Sequence, residues 1–281
     1  MRLDLVDVFA NGPQSGNPLA VVRGDVDLSD AQMLELTRWL GFSETAFLVP
    51  PTDPAADYRV RIFYPAGELP FAGHPTLGSA FAWLAAGGVP RTATKVVQQC
   101  GVGLVEVRRE VGQLSFAAPP LINGSVLSPE ERAEAIRLAG VNEEAVIAAV
   151  HAANGPAWQL LHLRSLEDLL AAEPAARAAP RTDIGLLAPH PEGSRLTWEL
   201  RAFFTDDLGR MCEDPVTGSL QAAAAQYLFG AGLAPDDYLA GQGQKVGADG
   251  RVHVYRDTNG AVWVGGVVRA VALGARLTPL A

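Results

Sequence analysis

The sequence predicts an α+β protein of two similar halves, each a curved, mostly antiparallel sheet wrapped around a central helix. The first observation behind this is a turn that runs twice into a small-residue helix. It reads His74-Pro75-Thr76-Leu77-Gly78-Ser79 in one half and Asp214-Pro215-Val216-Thr217-Gly218-Ser219 in the other. One supersecondary unit in each half indicates a duplicated architecture, although two unrelated helix starts with ordinary caps would read alike. The second observation is that short apolar strands and glycine turns gather around each helix, without the regular strand–helix alternation of a Rossmann-type sheet. The third is size. A chain of 281 residues, 48% of them apolar, holds two medium domains or one large one.

Taken in order, Leu3 to Phe9 and Leu19 to Val22 read as partner strands. The turn formers between them, Ala10 to Pro18, make a shaped loop that is either a plain connection or a way of placing Asn17 at a cleft. Leu28-Ser29-Asp30 starts a helix that Gly41 stops. Phe42 to Val49 follows as an apolar strand with Glu44 at its beginning. That carboxylate is either solvent-facing on an edge strand or buried, and burial would raise its pKa toward the range useful for proton transfer.

Tyr58 to Tyr64 reads as a strand, and a helix is expected to begin near Pro75, with His74 as the last residue before it. The first-turn amides would then point at whatever lies before Gly73 and His74, a setting for a carboxylate or phosphate. Lys95 to Gln99, Gly103 to Arg109 and Gln113 to Phe116 read as strands, and Pro119-Pro120 marks a boundary. The expected domains are 1–117 and 118–281, with the last strand free to return to the first domain.

In the second half Ser128-Pro129-Glu130-Glu131 starts a helix that ends at Gly140. Strands are expected at Val146 to Ala152, Trp158 to Leu163, Ile184 to Ala188 and Leu196 to Phe204, with a short helix at Leu166 to Ala171. Met211 to Ser219 reads as the second turn, leading into the alanine-rich helix. Val252 to Tyr255 and Ala261 to Leu273 read as strands joined at Asn259-Gly260.

Bulk properties exclude several functions. A net charge of −9 with no basic stripe argues against nucleic acid. No apolar run has the length of a membrane span, and the acidic N-terminus is unlike a signal peptide. Two cysteines, Cys100 and Cys212, make no disulfide framework, so a reduced cytoplasmic enzyme is expected. Gly241-Gln242-Gly243 lacks the following helix of a dinucleotide motif. His151, His162, His190 and His253 are scattered and read as structural, leaving no metal-ligand cluster. Cys212 has no partner thiol in the first turn, which disfavours a two-thiol racemase.

Four blocks then occur in one order: Asp7-Val8-Phe9 with Gly16-Asn17-Pro18-Leu19-Ala20-Val21-Val22; Ser43-Glu44-Thr45-Ala46-Phe47; Glu68 to Thr76; and Glu213 to Ser219. Together they resemble the PhzF-like (phenazine biosynthesis) isomerase family over Asp7 to about Gly266. The resemblance implies the diaminopimelate-epimerase-like fold, with the active site between the two domains. It implies Glu44 as general acid/base, His74 and Asp214 as polar partners, and Ser219 with the amides of Gly73 and Gly218 as a carboxylate cradle. Asn17 takes a supporting part. The implied chemistry is a cofactor-free proton shift on a small, carboxylate-bearing, amino-acid-like metabolite, in a homodimer. A non-catalytic ligand-binding protein and an epimerase or racemase on the same fold are the alternatives.

Overall fold

The computed structural model describes residues 1–278. The described chain forms two compact units, residues 1–117 with the chain from Gly265 onward, and residues 118–264.

The first unit runs β1 (Arg2–Val8), β2 (Asn17–Arg23), α1 (Asp30–Leu40), β3 (Thr45–Val49), β4 (Tyr58–Tyr64), β5 (Gly67–Leu69), α2 (Gly73–Ala85), β6 (Lys95–Cys100), β7 (Gly103–Glu110) and β8 (Gln113–Ala117). Helix α1 begins where its sequence says it should: Ser29 Oγ accepts the Gln32 amide, Gln32 Oε1 accepts the Ser29 amide, and Gly41 closes the helix at φ 75°. Its apolar side, Met33 and Leu36, packs on Val22, Phe47 and Phe63. Helix α2 is apolar all round and buried through its first two turns, as expected of an element enclosed by sheet. It packs on β1, β2, β3, β4 and β8. Gly78 makes that approach possible, because a Cβ there would lie 2.5 Å from Leu19 Cδ2 and 3.1 Å from a Val6 methyl.

The second unit runs α3 (Pro129–Ala139), β9 (Val146–Ala153), β10 (Ala157–Leu163), α4 (Leu166–Ala171), β11 (Asp183–Pro189), β12 (Trp198–Thr205), β13 (Met211–Asp214), α5 (Gly218–Gly230), β14 (Asp237–Gln242), β15 (Gly250–Arg256) and β16 (Val262–Gly266). Strand β16 spans the boundary at Gly265. Helix α3 has the expected Ser128–Glu131 capping box and stops at Gly140, φ 64°. Buried α5 packs on β9, β10 and β15.

The strand pairings repeat. In the first unit β1–β2 is antiparallel, β2–β3 parallel across α1, β3–β4 and β4–β5 antiparallel, β4–β6 parallel across α2, and β6–β7 antiparallel. In the second, β9–β10, β10–β11 across α4, β11–β12, β12–β13, β12–β14 across α5, and β14–β15 follow the same sequence of senses. Each half is an α+β layer structure with its long helix on the crossover, so the duplication extends to the order and sense of strand pairing and not only to the two turns.

Four sequence expectations need correction. Helix α2 begins at Gly73, not near Pro75, so His74 lies within its first turn. Pro75 is tolerated there because the first four amides of a helix have no intrahelical acceptor, and the first i→i−4 bond is Thr76 N–H to Ala72 O, 3.1 Å. Met211 to Asp214 is a strand, drawn into pairing by Ala202 to Thr205 opposite it. Asp237 to Gln242, unassigned in the sequence, is β14. Ala261 to Leu273 is two strands, and the second, β17 (Val268–Arg276), pairs antiparallel with β1, which is the return to the first unit that the sequence left open.

Candidate active site

In the first unit the loop before β2 is built on a buried carboxylate. Asp7 Oδ2 accepts the Ser15 amide at 2.9 Å and Oδ1 the Gly16 amide at 2.8 Å. Ser15 Oγ in turn accepts the amides of Asn11 and Gly12. Gly16 must be glycine, since a Cβ would fall 2.0 Å from Val8 O. This explains why Asp7 and Gly16 accompany Asn17, which is buried opposite Val8 at the start of β2.

Glu44 directly precedes β3, next to Thr45, which pairs with Ala20 of β2 and Phe63 of β4. Parallel β2 and β3 therefore bring their N-terminal ends to one side of the sheet, and β4 brings its C-terminal end there on the way to β5 and α2. Asn17, Glu44 and the start of α2 share that side. The Glu44 side chain is 19% exposed, but its Oε2 is closed off from solvent and accepts no hydrogen bond. His74 Nε2 lies 3.7 Å from it, with the His74 side chain 6% exposed. Loss of water around the carboxylate pushes the Glu44 pKa up from 4.5 to about 7, with a hydrogen bond from Ser43 pulling slightly the other way. Of the two readings open for Glu44, the structure supports the buried one.

Neither α2 nor α5 has a side-chain cap, whereas α1, α3 and α4 are capped by Ser29, Ser128 and Ser165. The uncapped helices are the two that open with Gly73-His74 and Gly218-Ser219. In the second unit Asp214 ends β13, and its Oδ2 accepts the Thr217 hydroxyl at 2.5 Å. Ser219 Oγ accepts Trp158 Nε1 at 3.1 Å, and its carbonyl accepts Asn154 Nδ2 at 2.9 Å, so this hydroxyl is already oriented by an indole. The structure thus brings Glu44 and His74 together and sets Asp214 within bonding distance of Thr217, a residue the sequence reading did not single out. The signal for Thr217 was its position three residues after an acid in the repeated turn.

The remaining histidines have partners in the second unit: His151 with Glu131, His162 with Tyr227, His190 with Glu199 and His253 with Asp237. Among the described residues no group of three or more His, Cys, Asp or Glu is arranged to hold a metal, and no helix is long and apolar enough to cross a membrane.

With this geometry in hand, comparison with known proteins defines the class. The chain superposes on the crystal structure of a Bacillus anthracis phenazine biosynthesis protein of the PhzF family with a TM-score of 0.83, at 21% identity and 97% coverage of each chain. A predicted epimerase from Pseudomonas aeruginosa gives a TM-score of 0.79 at 29% identity, covering 99% of each chain. The fold is the diaminopimelate-epimerase-like one, and the relatives, named as isomerases and epimerases, make this an enzyme of that class. The family model described as "Phenazine biosynthesis-like protein" matches residues 6–273, and the chain belongs to that family. It is 32% identical to the trans-2,3-dihydro-3-hydroxyanthranilate isomerase of Pseudomonas fluorescens over 80% of this chain and 78% of that one. It is 31% identical to the Schizosaccharomyces pombe protein "Antisense-enhancing sequence 1", over 96% of each.

Proposed function

We propose that this enzyme is a cofactor-independent isomerase that moves a proton on a small, carboxylate-bearing, amino-acid-like metabolite, with Glu44 as the general acid/base. The observation that carries the reading is the Glu44 carboxyl itself, shielded at Oε2, pushed to about 7, and 3.7 Å from His74 Nε2. A carboxyl with a pKa near neutrality takes a proton from carbon and returns it with little loss in either direction. His74 steers or relays that proton. The uncapped first-turn amides at Gly73, and their repeat at Gly218 with Ser219, are the groups assigned to the substrate carboxylate, where helix amides stabilise charge as it develops. Asp214 is assigned as the second acid, and Asn17 as a substrate contact or loop former. The relative that isomerises trans-2,3-dihydro-3-hydroxyanthranilate supports a substrate of that chemical kind. The named epimerase among the structural neighbours supports a second reading, in which the proton returns to the same carbon from the other face. The proposed working form is a homodimer.

The test is deuterium uptake from heavy water, followed by NMR, into trans-2,3-dihydro-3-hydroxyanthranilate and a panel of small amino and hydroxy acids. Label at carbon with the wild-type protein and not with Glu44→Gln supports the assignment, and the labelled position separates isomerisation from epimerisation. Uptake at an unchanged rate in Glu44→Gln removes Glu44 as the base.

A further inference from the structure

Buried side-chain amides serve the starts of both long helices. In the second unit Gln242, at the end of β14, is fully buried and uses all four of its hydrogen-bonding positions. Its Oε1 accepts the Thr217 amide at 3.1 Å and Gln221 Nε2 at 3.0 Å. Its Nε2 donates to Asp214 O at 3.2 Å and to Thr217 Oγ1 at 3.0 Å. A backbone N–H only donates and a backbone carbonyl only accepts, so these two partners fix which end of the amide is oxygen. Thr217 Oγ1 therefore accepts a hydrogen bond from Gln242, and its own hydroxyl donates to Asp214 Oδ2 at 2.5 Å. The chain Gln242 to Thr217 to Asp214 runs in one direction and ends on the carboxyl of the repeated turn.

The first unit also has a buried amide near the start of its long helix, with a different set of partners. Gln98 lies on β6, the counterpart of β14, and is also fully buried. Its Nε2 donates to Thr76 Oγ1 at 3.0 Å, and its Oε1 accepts the Tyr58 hydroxyl at 2.8 Å. Thr76 is the residue whose amide makes the first backbone bond of α2, two places after His74. A fully buried amide costs free energy unless its polar atoms are bonded, and the four bonds of Gln242 meet that requirement while holding it to the turn before α5.

We propose that Gln242 is a positioning residue, which through Thr217 sets the orientation of the Asp214 carboxyl. The inference rests on the role given above to Asp214, and its test is separable from that role. Protein labelled with ¹³C-aspartate is compared as wild type, Gln242→Met, Thr217→Val and the double variant, with the Asp214 carboxyl resonance assigned by its disappearance in Asp214→Asn. The expected result is a displaced Asp214 resonance in both single variants and no further displacement in the double. An Asp214 resonance unmoved in folded Gln242→Met overturns the proposal, whether or not a substrate has been found. With a substrate that exchanges deuterium, Gln242→Met lowers kcat about ten-fold in the wild-type background, the size of one hydrogen bond to a charged group. In the Asp214→Asn background it costs nothing more. An equal loss in both backgrounds assigns Gln242 a purely structural part and also overturns the proposal. Full activity of Asp214→Asn alone would instead remove Asp214 from the reaction while leaving the resonance result intact.

Discussion

Glu44 Oε2 and His74 Nε2 stand 3.7 Å apart, beyond a hydrogen bond and within ion-pair distance, with neither side chain freely exposed. A pair held at that spacing leaves the acid without an acceptor bond at the oxygen that faces the ring. If Glu44 is the base, Glu44→Gln keeps the shape and removes the function. Turnover is expected to fall by at least about 10²-fold, the usual contribution of a positioned general base, with the far-ultraviolet spectrum unchanged. The kcat/KM of the wild type should rise with pH through about 7, where the Glu44 carboxyl loses its proton. A profile flat from pH 5 to 9 would contradict the assignment.

The same carboxyl affects stability, and the sign follows from its raised pKa. In the unfolded chain Glu44 loses its proton near 4.5, and in the folded protein near 7. Between those values the folded form holds the extra proton, so stability falls as pH rises from about 4.5 to about 7 and is level above that. The span corresponds to about 3 kcal/mol. Glu44→Gln should therefore be more stable than wild type at pH 8 by up to that amount, with the difference vanishing near pH 4. Urea midpoints at the two pH values measure it, and equal differences at both would show that the carboxyl is not desolvated.

Much of the fold was legible because its signals are local. Ser29 and Ser128 cap the helices they precede, and Gly41 and Gly140 end them, since a serine hydroxyl and a residue free to take positive φ act within a few positions. The start of α2 was misread for the complementary reason: Ala72 offers no capping side chain, and Pro75 drew attention to itself. Strand β13 was hidden because its pairing to β12 is decided by the partner and not by Met211 to Asp214. For Glu44 the choice between surface and interior was invisible in Ser-Glu-Thr, since the shielding comes from residues distant in the chain. The two buried glutamines gave only a weak mark, a polar amide inside an apolar strand at Gln98 and a glycine-flanked one at Gln242.

Neither thiol is placed to act as a base. Burial pushes the Cys100 thiol up from its ordinary value, and burial with the nearby Asp206 charge does the same for Cys212. At neutral pH both are therefore protonated, and a protonated thiol is a poor nucleophile or proton acceptor. Cys100→Ala with Cys212→Ala is expected to keep turnover, measured as deuterium uptake, within about two-fold. Loss of activity in Cys212→Ala alone would revive a thiol-dependent racemase.

The helix at the centre of the first unit depends on one missing side chain. A Cβ on Gly78 meets Leu19 Cδ2 at 2.5 Å and the Val6 and Val8 methyls at 3.1 and 3.2 Å, all in the buried layer under α2. Gly78→Val inserts three carbons into that contact and should cost roughly 1–3 kcal/mol or more by overpacking. Because α2 has to lift away from β1 and β2, and it carries His74 in its first turn, activity should drop further than the stability loss explains at temperatures where the variant is folded. A variant with wild-type urea midpoint would show that the neighbouring methyls give way without cost.

The acid that ends β13 has a buried ion pair as its neighbour in sequence. Arg201 on β12 bonds both oxygens of Glu213, Nε to Oε1 at 3.0 Å and NH2 to Oε2 at 2.8 Å, with 4% and 8% of the two side chains exposed. Its NH1 donates to Leu169 O and Ala172 O, which closes the C-terminal end of α4. One cation thus ties β12, β13 and α4 together. Arg201→Ala leaves the Glu213 charge buried and takes the donor from the Ala172 carbonyl, while Leu169 O keeps the Ala172 amide at 3.4 Å, and a loss of about 3–5 kcal/mol is expected from urea denaturation. Replacing both partners with apolar residues, Arg201→Met with Glu213→Leu, removes the stranded charge but still leaves the Ala172 carbonyl without the Arg201 donor. That double variant should recover a part of the loss and stay below wild type. Recovery to the full wild-type value would mean that the Ala172 carbonyl finds water on its own, and a loss under about 1 kcal/mol in Arg201→Ala would mean that the pair is not shielded at all.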